Sequence, residues 1–445
     1  MTLSAAHSAP GSSQPNAPTV DQSDRLVPIN LRQSGPTPVE LLISTRIRKS
    51  PYWHLSVAAG CWRAEVYNRV YHPRGYVRHE DGGPMVEYDA LVNHVTMWNV
   101  AVERQIRVQG PDAEAFVNYV ITRDATKIPP MRARYVILCN EQGGILNDPV
   151  LLRISSDEFW FSLSDSDLMF WLQGVNVGRR FHVDIAEIDV CPVQIQGPKS
   201  EALMVDLFGP EVSEIPSYGL YEGEVAGHPV VVSQTGFTGE KGYEIYLRNA
   251  TLHAEDMWNA VLEAGKAHQL MVIAPAHHRR IAAGILSWGQ DMDAETLPFQ
   301  VNLGYQVPRN KQADYIGKAA LEAARTQIEA GSPPYLHTLV GLRLGGKPIE
   351  EYAPDFWLVG EPGAEPTGYV TSPWYSPELG TNIAMAHVPV PLATIGTELV
   401  VHLPERYADV PGQPVAATVV EMPFRPSVNP NTRERLHQAG LDAAV

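Results

Sequence analysis

Cysteine is scarce: Cys61, Cys139 and Cys191 are the only three in 445 residues, odd in number and widely spaced. That spacing excludes a disulfide framework and a zinc-ligand pattern, and buried free thiols in a reducing compartment are expected. There is no apolar run of 18 residues, so a membrane-spanning helix is excluded. Positive charge is also limited: 34 Lys and Arg face 50 Asp and Glu, a net charge of −16. Phosphate binding needs a basic surface, so nucleic acid is not the expected partner. The first 36 residues lack the basic and apolar stretches of a signal peptide and are expected to form a disordered leader. No glycine-rich dinucleotide fingerprint stands out. These absences leave a soluble cytoplasmic protein with small-molecule partners and neither a membrane nor a nucleic-acid partner. A homodimer is the expected assembly.

The chain is 44% hydrophobic and 19% charged, a globular composition, and too long for one ordinary core. The expected fold class is α+β. Residues 37–335 are expected to form two related mixed α/β units with a break near 185–195. Residues 336–445 turn to short strands with Gly and Pro turns and read as a small β-barrel. Val100 to Val108 alternates as a strand, and Ala113 to Tyr119 follows as a helix. Leu168 to Val177 is a second helix, which Ser164 to Asp167 can cap. Thr251 to His268 carries apolar Ala254, Met257, Trp258, Val261 and Leu262 on one helical face. Between Leu41 and Tyr76 a basic stretch leads into Tyr52, Trp53, Trp62, Tyr67, Tyr71 and Tyr76, an aromatic arm that suits core packing or a lid.

One stretch is unusually dense in information. Gly236-Phe237-Thr238-Gly239-Glu240-Lys241-Gly242 forms a glycine-punctuated turn, and Tyr243-Glu244-Ile245-Tyr246-Leu247 follows as an alternating strand. Glycine permits φ > 0 or a close approach to a ligand, and a fixed carboxylate can accept two parallel N–H bonds from a flat heterocycle. The stretch resembles the G-Y-T-G-E-x-G-[YF]-E motif of the glycine-cleavage T-protein family, which binds tetrahydrofolate. Asn140 to Asp148, Ile195-Gln196-Gly197-Pro198, Trp288 to Met292, Tyr315 to Lys318 and Ser376 to Gly380 resemble further family motifs in the same order. The ordered likeness runs from about Leu91 to Phe424.

The resemblance implies a disc of three domains around a folate channel, with tetrahydrofolate as cofactor. It gives Glu244 the pterin edge, Phe237 a ring wall, and Asp165 the place of a family Asn in the pterin site. Asp165 also suits a helix N-cap. Two departures matter. The family's catalytic Asp is Asn147 here, with Asp148 after it. Its tail-binding Arg aligns with Ala276, leaving His277, His278 or Arg279 to take over. A metal at His277-His278 is not expected, because adjacent helical residues point apart. An anionic folate tail needs a locally basic site on so acidic a protein.

Asn147 to Leu151, Trp160 to Asp167 and Trp98 to Gln105 are similar to the tetrahydrofolate-dependent demethylases, which take a methyl group from donors such as dimethylsulfoniopropionate. A sulfonium leaves as a neutral thioether, so no acid must protonate it, and alignment with desolvation carries catalysis. The expected catalytic residues are Asn147, Asp148 and Tyr243. Glu244, Phe237, Asp165, Trp171 and Arg279 are expected at the cofactor. An onium group wants aromatic faces, and a carboxylated donor wants a cation. Arg104, Trp98 and Tyr52 are the substrate candidates, although a strand Arg equally suits a structural ion pair. A methoxy-aromatic or methylated amine donor, an aminomethyltransferase and a non-enzymatic folate binder remain alternatives.

Overall fold

A computed structural model describes residues 44–353 and 356–425; the expected leader lies outside these residues. Two sheets and a barrel organise them. The larger sheet runs in spatial order Leu220–Val225, His228–Ser233, Gly242–Arg248, Val190–Gln196, Val95–Asn99 and Leu270–Val272. The smaller runs Asp184–Glu187, Gln105–Gln109, Glu158–Ser162, Val150–Arg153 and Arg132–Tyr135. Six strands between His337 and Val420 close into a barrel.

Each sheet buries one face under helices. Tyr243, Ile245, Leu247, Val193 and Ile195 of the larger sheet pack with Leu203, Met257, Trp258 and Val261 of the helices Ser200–Phe208 and Ala250–Gly265. Ile106, Val108, Phe159 and Phe161 of the smaller sheet meet Phe116, Val117, Leu168 and Leu172 of Ala113–Val120 and Leu168–Arg179. The uncovered faces turn towards each other: Ala133, Leu152 and Trp160 pack on Val190, Leu220, Val231 and Tyr246. Period-2 alternation gives each strand one helix-facing row and one row facing the other sheet.

The expected strand Val100–Val108 is interrupted. Val95–Asn99 lies in the larger sheet and Gln105–Gln109 in the smaller, so residues 100–104 are the crossing between them. Apolar Val100, Val102, Ile106 and Val108 carry the sequence alternation across the gap and conceal it.

The aromatic arm contains a hairpin, Arg63–Tyr67 and Val70–Gly75. Asn68 and Arg69 connect the strands with φ of 51° and 60°, the left-handed pair of a two-residue turn that matches strand twist. Tyr52 is fully buried, stacked 5.7 Å from Trp258, and its hydroxyl donates to the Cys191 carbonyl.

The barrel is fastened by an ion pair with no exposed side-chain surface. Arg280 Nη1 lies 2.7 Å from Asp291 Oδ2 and donates to the Ile285 carbonyl; Arg280 Nη2 donates to Ser372 Oγ on a barrel strand. Asp291 Oδ1 accepts from Thr371 and Ser372 hydroxyls at 2.6 and 2.5 Å.

Candidate functional site

The glycine turn is built around Gln196. A Cβ at Gly236 or Gly242 would stand 2.3 or 2.4 Å from its amide. Thr238 Oγ1 donates to Gln196 Oε1, and Gln196 Nε2 donates to the Thr235 carbonyl. The glycines therefore make room for a buried side chain of the neighbouring strand. The turn is fixed there, and Glu244 is fixed with it.

Glu244 and Tyr246 project from the face opposite Tyr243, towards the smaller sheet. Glu244 is 3% exposed and accepts from Gln194 Nε2 at 2.7 Å and from the Tyr246 hydroxyl. Glu103, half-buried in the crossing segment, turns its carboxyl to the same place and accepts from Ser162 Oγ at 3.0 Å. Gln105 Nε2 donates to that same Ser162 Oγ at 2.8 Å. Burial first, then the neighbouring Glu244, pushes the Glu103 carboxyl well above the usual carboxylate range; burial also raises Glu244 against the pull of its hydrogen-bond donors. The side-chain oxygens of Gln105 and Gln194 are buried without a hydrogen-bond partner. The cluster is thus rich in acceptors, with donors in deficit. It suits a flat ligand edge carrying several N–H groups and opposes an anion.

Asn147 and Asp148 lie just beyond Ser162, at the same end of these strands, and meet Ser164. Asn147 is fully buried. Its amide pairs with Ser164, accepting from the backbone N–H at 3.2 Å and donating to the carbonyl at 3.0 Å, and it donates to Ser166 Oγ at 2.8 Å. Asp148 accepts from Tyr135 at 2.8 Å and from Ser164 Oγ at 2.5 Å, and burial raises its pKa to about 6. Asp165 Oδ1 holds the backbone N–H of Asn68 at 2.8 Å, so it ties the hairpin turn to this loop. The helix begins after Asp167, and no side-chain cap bond forms there. Tyr67 of the hairpin lies close to Asp148, Glu103 and Asp165; burial and these three carboxylates, in that order, raise its hydroxyl pKa. The arm thus reaches the space between the sheets.

The other expected residues lie elsewhere. Tyr243 belongs to the helix-packed core, because adjacent strand residues face opposite ways. Tyr52 is locked in that same core. Trp171 packs on the outer core of the smaller sheet. Trp98 is buried with Leu91, Val100, Ile273 and Ala276, and Phe237 rests against this group. Arg104 pairs with Glu187 at 2.5 Å, and Arg48 shares that carboxylate. Arg279 joins Arg425, Glu240 and Glu378 in a four-charge network linking the glycine turn to the barrel. His277 meets Tyr352, whereas His278 meets Tyr88 and Trp374, so the two imidazoles diverge.

Glu103, Gln105, Gln194 and Tyr246 were not singled out by sequence. Tyr246 had a signal, since it follows Glu244 by two on an alternating strand. Glu103 had none, because continuous alternation concealed the crossing.

Asn147→Asp is expected to destabilise the fold by about 1–3 kcal/mol in chemical denaturation. Its new oxygen would face the Ser164 carbonyl where an amide N–H now donates. A more stable variant would contradict the pairing.

Residues 54–311 match the GCVT N-terminal domain, and residues 337–425 match the glycine cleavage T-protein C-terminal barrel domain. The chain is 33% identical to a dimethylsulfoniopropionate demethylase of Ruegeria pomeroyi over 364 residues, covering 81% of this chain and 95% of that protein. It is 31% identical to an aminomethyltransferase of Saccharopolyspora erythraea, covering 77% and 90%. Its fold is similar to that of aminomethyltransferase T from Bartonella henselae, with a TM-score of 0.73 at 24% identity, covering 86% of this chain and 99% of that one. With two domain matches in order and relatives aligned over nearly their full length, the chain belongs to the glycine-cleavage T-protein family of tetrahydrofolate-dependent enzymes.

Proposed function

We propose that the protein is a tetrahydrofolate-dependent demethylase, moving a methyl group from a small sulfonium donor of the dimethylsulfoniopropionate kind to N5 of tetrahydrofolate. The observation that carries this reading is Asn147. The position of the family acid holds an amide with both of its polar atoms engaged on Ser164 and Ser166. Aminomethyl chemistry benefits from a titratable group there, whereas a sulfonium needs none.

The acceptor-rich cluster supports the cofactor. Glu244, Glu103, Gln105 and Gln194 together suit the amino and ring N–H groups of a pterin edge, and two of their oxygens are otherwise unmet. Tetrahydrofolate, when bound, supplies the secondary amine that accepts the methyl group. N-methylation of such an amine releases one proton. Asp148, a buried carboxylate with its pKa raised to about 6, is the residue to hold it. Tyr67 is the aromatic face beside Asp148 that suits an onium group. The rows facing each other between the sheets exclude water, which strengthens each of these interactions.

Asp148 also gives a stability test. Its folded-state pKa lies above its unfolded value of about 3.9, so its contribution to stability is present below that value and is lost as pH rises through about 6. Asp148→Asn is therefore expected to be more stable than the parent at pH 8, by up to about 3 kcal/mol, with no advantage at pH 4. Denaturant midpoints at the two pH values check this; equal shifts at both would remove burial as the cause.

The function is tested by incubating the protein with tetrahydrofolate and separate methyl donors, and measuring 5-methyltetrahydrofolate by mass spectrometry. Dimethylsulfoniopropionate is the expected donor. Product only from glycine betaine, dimethylglycine or vanillate would replace the donor and keep the transfer. No product from any of them, with folate bound, would overturn the demethylase reading.

A further inference from the structure

Two histidines and a carboxylate meet where the helix Ala250–Gly265 passes the start of the strand His228–Ser233. His253 and Asp256 stand three apart on the helix, a spacing that puts both on one face. His228 opens the strand. His228 Nε2 lies 2.9 Å from Asp256 Oδ2, and the His228 and His253 rings stack with centroids 3.8 Å apart and planes 15° from parallel. One ligand atom from each of the three lies within 4.8 Å of the other two. The histidines are half-buried and Asp256 is exposed, so the group opens to solvent. Among the described residues no Lys or Arg forms an ion pair with Asp256. His228 and Asp256 stand 28 positions apart, so no sequence motif joins them.

Both backbones are fixed. Ala254 and Met257, each next to one of the helical pair, are buried in the sheet-facing core. Val225 pairs with His228 across a two-residue turn in which Ala226 and Gly227 take φ of 53° and 79°, and Val230 is buried two residues on. Ligand atoms bonded to one metal at about 2.0–2.2 Å stand about 3–3.5 Å apart. The His228–Asp256 pair already has about that separation, and rotation of the His253 side chain closes the set. An ion pair accounts for His228 and Asp256 and not for the second imidazole set against them. The group is also remote from the acceptor-rich cluster. Ser233 pairs with Glu244 at the far end of this strand, about 17 Å from His228 at a rise of about 3.4 Å per residue.

We propose that His228, His253 and Asp256 form a binding site for a single divalent transition-metal ion of the zinc kind, which clips the helix Ala250–Gly265 to the hairpin of the larger sheet. Two imidazole nitrogens and one carboxylate oxygen suit Zn²⁺ and disfavour Mg²⁺ and Ca²⁺, which take oxygen ligands. The solvent-facing side leaves the fourth position to water. The inference stands apart from the function proposed above, since none of its residues belongs to the folate site.

The test titrates the full chain, first treated with a chelator, with ZnCl₂ by calorimetry and measures the thermal midpoint with and without the ion. Binding of Zn²⁺ with a raised midpoint is expected, because an ion held by the folded state alone stabilises it. MgCl₂ at the same concentration is expected to do neither. Partners of metal ligands change affinity by about 10–100-fold, so loss of a ligand in His253→Ala, or of its charge in Asp256→Asn, is expected to weaken Zn²⁺ by roughly tenfold or more and to abolish the rise. Both side chains reach solvent, so the variants are expected to fold. His268, 2.6 Å from Asp206, is the control for a simple His–Asp pair, and His268→Ala should bind Zn²⁺ as the parent does. No binding by the parent, equal binding by parent, His253→Ala and Asp256→Asn, or a loss confined to His268→Ala would each overturn the proposal.

Discussion

Glu244→Ala is expected to weaken tetrahydrofolate binding by about 100-fold or more, read by calorimetry or fluorescence quenching. A hydrogen bond to a charged group contributes about 1.5–3 kcal/mol, and a paired contact approaches twice that. The change is not expected to destabilise the empty protein in proportion. Glu244 stands beside Glu103 in a buried place where, among the described residues, no ion pair compensates either, and each raises the cost of ionising the other. Removing one carboxylate relieves that crowding, while Gln194 and Tyr246 lose an acceptor. Folding and binding should therefore separate, as expected of a group kept for a ligand. Glu103→Gln distinguishes the two carboxylates: it keeps an acceptor on Ser162 and removes the repulsion, so Glu244 should titrate at lower pH. Folate affinity unchanged in Glu244→Ala would remove Glu244 from the site.

Asp291→Ala is expected to cost about 3–5 kcal/mol of stability, the usual loss when one member of a buried ion pair is removed. Arg280 would keep its charge with no exposed surface, and two barrel hydroxyls would lose their acceptor. The double variant Arg280→Leu/Asp291→Leu should recover much of that loss, since a buried pair of charges is often neutral when replaced by apolar volume. Urea denaturation of the three proteins checks both expectations. A single variant as stable as the parent would mean that the pair does not fasten the barrel.

The sequence was informative where a local rule had one solution. Alternation from Tyr243 to Leu247 placed Glu244 and Tyr246 on one face and Tyr243 on the other, as found. That same alternation argued against a role for Tyr243 beside Glu244, and residue chemistry drew attention to it nonetheless. The ordered motifs identified the family and the fold class because each marks a turn or strand end with narrow steric demands. Gly236 and Gly242 are an example, although the reason for them is Gln196 rather than a ligand.

Aromatic and cationic residues were harder to assign. Tyr52, Trp98 and Trp171 have the chemistry of a binding wall and serve as core, because burial of a large ring stabilises a fold wherever it occurs. Arg104 and Arg279 have the chemistry of an anion site and are engaged in ion pairs with residues more than 35 positions away.

By itself the sequence determined the family and the α+β class with its terminal barrel. Only the tertiary structure decided which polar groups meet. Glu103 and Glu244 stand 141 positions apart, and they share one buried place because the chain crosses between two sheets at residues 100–104. Periodicity reports which way a side chain faces within its own element; what it faces is fixed by how the elements pack.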